Sequence, residues 1–172
     1  PDLAADQFDL AVDILAERGF DHYEISNWAR PGYACQHNLI YWRNGAYLGL
    51  GAGAHGHAGG YRYSVVKQPR VYIRRMQTGK PGHYPWSSAV DKKELLAPRE
   101  MMSDTVITQL RLLEEGLNLE TFASRFGLDL FDAFPDVCEQ LIEWNLLHLK
   151  NGRLLLTGRG QFLSNQVFYR FM

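Results

Sequence analysis

The sequence predicts an α/β protein: a helix-and-strand portion, then a mostly helical portion that includes a β-hairpin. Three observations carry that expectation. Phe8, Ala11, Val12, Leu15 and Ala16 recur at helical spacing, and a short alternating run, His22 to Ile25, follows directly after Gly19. Gly79, Pro81, Gly82, Pro85, Ser87 and Ser88 then crowd into one stretch and interrupt the pattern. Beyond it, helical periodicity dominates up to Asn151-Gly152, a hairpin dipeptide set between two apolar runs.

Taken in order, residues 4–18 read as an amphipathic helix with Gly19 as its C-cap. His22 to Ile25 reads as a strand with Tyr23 and Ile25 on one face. Residues 26–45 hold Pro31, Gly32, Asn38, Asn44 and Gly45 and read as irregular. Tyr47 to Leu50 and Tyr61 to Val66 are strand candidates on either side of a glycine-rich stretch. Pro69 is expected to open a helix through Tyr72, Ile73 and Met76 that stops near Gly79. This gives a first domain over residues 1–80, a linker over 81–92 and a helical domain over 93–172. In the last, Lys93 to Leu113 is a long helical pattern with a break at Pro98; Leu119 to Phe126 is a second helix, ending at Gly127, and Pro135 to Trp144 a third. The hairpin runs from Leu146 to Leu156, and a final helix from about Gly160 to Phe171. Helices followed by a hairpin suggest a winged helix.

Composition excludes several functions. A formal net charge of −1 on 172 residues provides no field to gather nucleic acid or an anionic membrane. No apolar run reaches the roughly 18 residues that span a bilayer. The start, Pro1-Asp2-Leu3, has neither the basic nor the apolar region of a signal peptide, and reads as the beginning of a fragment. Cys35 and Cys138 form no CxxC pair or zinc quartet and suit a reduced, intracellular protein. An iron–sulfur cluster needs about three or four thiolates, so this chain cannot hold one alone.

Four places could carry chemistry. The segment Tyr23 to Trp42 sets Cys35 and His37 among aromatics. Flat rings can stack on a planar macrocycle while a neutral imidazole reaches its metal; alternatively, His37 is a loop residue held by backbone hydrogen bonds. In the second place, Gly51, Gly53 and Gly56 match G-x-G-x-x-G. The helix and the acidic residue that a dinucleotide site requires do not follow, so the glycines read better as permitting close approach of a ligand or a strand. His55 and His57 are expected on opposite faces there, which argues against one shared metal. Third, Glu24, Ser26 and Asn27 sit at the end of a predicted strand, where α/β barrels place their sites; a solvated Glu24 is the plainer reading. Last, a winged helix invites a DNA reading, but the helix Pro135 to Trp144 carries Asp136, Glu139 and Glu143 and no Lys or Arg, and would repel phosphates.

Three ordered blocks now suggest a family. Tyr23-Glu24-Ile25-Ser26-Asn27, then His37-Asn38-Leu39-Ile40-Tyr41-Trp42, then Tyr47-Leu48-Gly49-Leu50-Gly51-Ala52-Gly53-Ala54-His55-Gly56 resemble successive parts of the oxygen-independent coproporphyrinogen III oxidase-like radical-SAM proteins (HemN/HemW type). The His-Asn-x-x-Tyr-Trp block is closer to the heme-chaperone branch than to the oxidases. Leu110-Arg111, Glu115-Gly116 and Leu156-Thr157-x-x-Gly160 are similar to that family's C-terminal domain.

The resemblance implies the last units of an incomplete radical-SAM (β/α) barrel, followed by a winged-helix-like domain, in a cytoplasmic protein. It implies heme binding by His37, Asn38, Tyr41 and Trp42, with His37 as the axial ligand of the iron. It also places Glu24, Asn27, Gly51, Gly53 and His55 near S-adenosylmethionine or substrate. The 4Fe–4S cluster and S-adenosylmethionine belong to the parent's N-terminal half, so no catalytic residue and no radical chemistry are expected of this chain alone. Implied partners are heme or a porphyrinogen, that N-terminal half and heme-acceptor proteins, with self-association through an exposed barrel edge. Nucleic acid and a transmembrane segment are not expected. The rival function is the oxidase itself, decarboxylating coproporphyrinogen III to protoporphyrinogen IX; a DNA-binding winged helix is the reading from another class.

Overall fold

Phe8, Ala11, Val12 and Leu15 do form one helical stripe: in the computed structural model, which describes residues 2–80 and 82–172, they line the less exposed face of α1 (Asp2–Glu17). Phe8 meets the rings of His22, Trp28 and Phe162 at 5.8, 5.9 and 5.4 Å. The chain gathers into two compact units. One takes the residues up to Asn44 together with Arg99–Met172; the other is Gly45–Pro98. The stretch 82–92, expected as a linker, therefore lies inside the second unit.

In the first unit, β1 (Asp21–Glu24) pairs antiparallel with β2 (Asn27–Ala29). The other edge of β1 bonds the segment after α4 (Pro98–Gln109), through Ile25 N to Arg111 O at 3.2 Å and Leu113 N to Tyr23 O at 3.2 Å. Residues 26–45 are not wholly irregular: α2 (Gln36–Trp42) forms there, with Leu39 buried. The sequence hides it because the helix is short and its N-cap, Cys35, makes no side-chain capping bond. Downstream come β6 (Leu117–Asn118), α5 (Leu119–Phe126), α6 (Leu130–Ala133), α7 (Val137–Glu143), β7 (Leu147–Lys150) and β8 (Arg153–Leu156). Their three strands form an antiparallel sheet in the order β6-β8-β7. Asn151 and Gly152 both take positive φ, 51° and 71°, as a two-residue hairpin turn requires. Asn118 caps α5 by accepting from Thr121 N at 2.7 Å, and Gly127 ends it in the left-handed conformation. The expected last helix is two short ones, α8 (Gly158–Phe162) and α9 (Ser164–Tyr169). Val106, Leu110, Leu117, Phe122, Phe134, Leu141, Leu154, Val167 and Phe171 are buried in one apolar core.

The second unit is an antiparallel sheet, β3 (His55–Ala58), β4 (Tyr61–Val65) and β5 (Val90–Leu95) in that order, with α3 (Pro69–Thr78). Tyr63, Val65, Val66 and Ala89 form its core, with Val71, Tyr72 and Trp86 packed on them. Two expectations change here. Of Tyr47 to Leu50, Tyr47 alone pairs, in a bridge to His57. The segment read as linker and helix start holds β5, whose Asp-Lys-Lys-Glu run lacks apolar alternation; charged residues on an edge strand resist unwanted pairing. Among the described residues every strand pair is antiparallel, so these pairings display no parallel βα barrel unit.

Candidate functional site

The candidate ligand set lies on α2. His37 and Tyr41 are one helical turn apart and therefore share a face, with ring centroids 4.8 Å apart and planes at 88°. The His37 side chain is exposed, while Asn38, Tyr41 and Trp42 are half-buried. Asn38 and Trp42 repeat the four-residue spacing on the neighbouring face. An exposed imidazole edge-on to a phenol, with an indole on the same short helix, suits a planar macrocycle bound at the surface through one axial nitrogen. Among the described residues, no three His, Cys, Asp or Glu side chains cluster as ligands for a bare metal ion. Cys35 is exposed at the start of α2.

Glu24 and Asn27 come together at the ends of β1 and β2, where the Asn27 amide donates to Glu24 Oε1. Glu24 is fully buried, contrary to the solvated reading. Its other oxygen lies 3.9 Å from the guanidinium of Arg111, whose pKa is lowered by burial and raised in part by Glu24. The sequence offers no signal that these residues meet.

Gly51, Gly53 and His55 lie in the other unit. Gly51 and Gly53 take φ of 101° and 74°, and Gly53 N donates to Val66 O at 2.9 Å. The glycines around them admit close approach, as expected, but of protein: Tyr63 lies across Gly56, its cross-strand partner, and its hydroxyl accepts from Gly49 N at 2.8 Å. Gly56 lies within β3 and leads on to β4 rather than opening a helix, so the dinucleotide reading gains nothing. His55 and His57 share one face of β3, because side chains two apart on a strand point the same way; Gly56 and Ala58 are the buried pair. His55 opens on a hollow of about 550 Å³ lined also by Ser64, Lys67, Arg75 and Asp91. Helix α7 carries Glu139 and Glu143 and no basic residue, so it presents no surface for phosphates.

No helix among the described residues is long and apolar enough to cross a membrane. Residues 96–163 match the family model of the HemN C-terminal domain. The chain is 31% identical to the heme chaperone HemW of Lactococcus lactis subsp. lactis, over 99% of this chain and 42% of that protein. It is 33% identical to the heme chaperone HemW of Bacillus subtilis, over 98% of this chain and 42% of that protein. With the mitochondrial radical S-adenosyl methionine domain-containing protein 1 of Bos taurus it shares 35% identity, over 93% and 37%. The solved structure of coproporphyrinogen III oxidase (HemN) from Escherichia coli, a radical SAM enzyme, has a TM-score of 0.72 at 16% identity, covering 99% of this chain and 41% of that one. The last likeness concerns the fold alone. The chain spans about two fifths of the length of the HemW relatives.

Proposed function

This chain belongs to the HemN/HemW-type family of radical-SAM proteins, matching the family's C-terminal part, and from that premise we propose that it is the heme-binding part of a heme chaperone. The observation that carries the reading is α2, which presents an exposed His37 against Tyr41, with Trp42 on the neighbouring face. Heme is the cargo here. His37 ligates its iron, Tyr41 and Trp42 flank the macrocycle, and Asn38 holds a polar edge. An exposed ligand helix suits a carrier that must also release, because the acceptor can approach the open side.

The wider architecture is part of the same proposal. Residues 1–80 contribute the last units of an incomplete barrel, and strand β6, helices α5–α7 and the β7–β8 hairpin form a winged-helix-like cover rather than a DNA reader. Glu24 and Asn27, and separately Gly51, Gly53 and His55, lie near S-adenosylmethionine or substrate. The 4Fe–4S cluster is held by the N-terminal half, since Cys138 is buried and Cys35 stands apart from other thiols. The protein works in the cytoplasm, and an exposed barrel edge meets that half or, without it, a second copy.

The test is transfer. Chain loaded with hemin and mixed with apomyoglobin is expected to pass the heme on, read as conversion to the myoglobin Soret spectrum faster than from free hemin aggregates. Loss of coproporphyrinogen III propionates in the presence of the full-length protein, without hemin transfer, would favour the oxidase instead.

A further inference from the structure

Helix α2 is tethered at one end. At its C-terminal end, Arg43 makes a forked ion pair with Glu115, Nε to Oε2 at 3.1 Å and Nη2 to Oε1 at 2.6 Å. Asn44 Nδ2 donates to Thr105 Oγ1 at 2.9 Å. The Trp42 indole lies under the Arg111 guanidinium, 4.2 Å from its ring centroid. All three partners come from the segment 105–115 that the HemN C-terminal domain match covers. At the opposite end Cys35, Gln36 and His37 are exposed.

Arg111 differs from the other two tethers. Arg43 and Glu115 stay about half exposed, at 51% and 44%, so their ion pair is screened. Arg111 instead fills a slot between the fully buried Glu24 carboxylate at 3.9 Å, the face of Trp42, and Phe168 at 5.9 Å. Its carbonyl accepts from Ile25 N, and Leu113, two residues on, donates to Tyr23 O, which holds this segment against β1. Both Arg111 Nε and Trp42 Nε1 are buried without a protein hydrogen-bond partner. The plane of the indole is therefore set by stacking rather than by a bond of its own. A guanidinium is flat and always charged, and can face an indole and a carboxylate at once; a lysine ammonium offers no plane.

We infer that Arg111 is a positioning residue for the heme-binding face of α2, fixing the indole plane of Trp42 from the C-terminal domain. The inference rests on the heme reading for its consequence, but not for its first measurement. That measurement is acrylamide quenching of Trp42 fluorescence, taken as the difference between each chain and its Trp42→Phe counterpart. Arg111→Met is expected to raise quenching about twofold and Arg111→Lys to lie between, as a cation that no longer stacks would. Hemin affinity is expected to fall about fivefold in Arg111→Met, the size of one partly exposed cation–π contact, with the Soret position kept because His37 is untouched. If Arg111→Met fails to fold by circular dichroism, Arg111→Lys decides: wild-type quenching in that variant overturns the inference. Wild-type quenching in both variants overturns it too. Changed quenching with no hemin binding by any chain, the unsubstituted one included, sinks the heme reading and leaves Arg111 as the residue that orients Trp42.

Discussion

A single methyl group added at Gly56 should destabilise the sheet of the second unit. A Cβ at this position would overlap the Tyr63 ring by about 1 Å, and the ring cannot yield freely. Tyr63 is 4% exposed, accepts a hydrogen bond from Gly49 N at 2.8 Å, and meets the Trp86 ring edge-on at 5.2 Å. Overpacking costs about 1–3 kcal/mol, the strained hydrogen bond about 1, and the displaced aromatic contact about 0.5–1. Against these, alanine gains about 0.5 kcal/mol over glycine in a strand. Gly56→Ala should therefore destabilise the second unit by about 2–4.5 kcal/mol, which speeds local opening about 30- to 2,000-fold. Native-state hydrogen exchange of peptides covering β3 and β4 reads this unit apart from the other. In a Tyr63→Leu background the same substitution should be nearly neutral, because the ring it collides with is gone. Exchange in Gly56→Ala within about threefold of the unsubstituted chain would refute the close-approach account of these glycines.

Three further outcomes follow from the first unit. Asn118→Ala should lower its stability by about 1 kcal/mol in urea unfolding, and Asn118→Ser by much less, since a serine can still cap α5. Iodoacetamide should modify Cys35 in the native chain and reach Cys138 once the core opens, as peptide mass mapping would show. Burial, with Asp129 and Glu139 nearby, pushes the Cys138 thiol from 9.0 up to about 12. Its contribution is thus fully present below pH 9.0 and is lost as pH rises towards about 12, by at most about 1.4 kcal/mol per pH unit. Urea midpoints at pH 8 to 10 should fall more steeply for the unsubstituted chain than for Cys138→Ala; parallel slopes would contradict the buried thiol.

Much of this fold is legible where local chemistry decides it. The α1 stripe, the Pro69 helix start, the α5 helix ending at Gly127 and the Asn151-Gly152 hairpin are written in short-range patterns, and the structure contains each. What the sequence conceals depends on partners far along the chain. Strand β5 has no apolar alternation and exists because β4 pairs with it, Tyr63 opposite Lys93 and Arg62 opposite Glu94. Short α2 is steadied by Arg111, Glu115 and Thr105, more than sixty positions away, and no local signal reports such contacts. The same holds for the site. The spacing of His37 and Tyr41 is visible in the sequence, whereas the helix that turns spacing into a shared face is not. Burial of Glu24 could not be read locally either, because the arginine beside it enters from beyond α4.

The central claim, that α2 carries a heme ligand, is tested most directly by titrating hemin into the chain and into a His37→Ala variant while following the Soret band. A saturable, shifted band is expected in the unsubstituted chain and is abolished by His37→Ala, with the variant's circular dichroism unchanged. The same band in both proteins, or none in either, would contradict it.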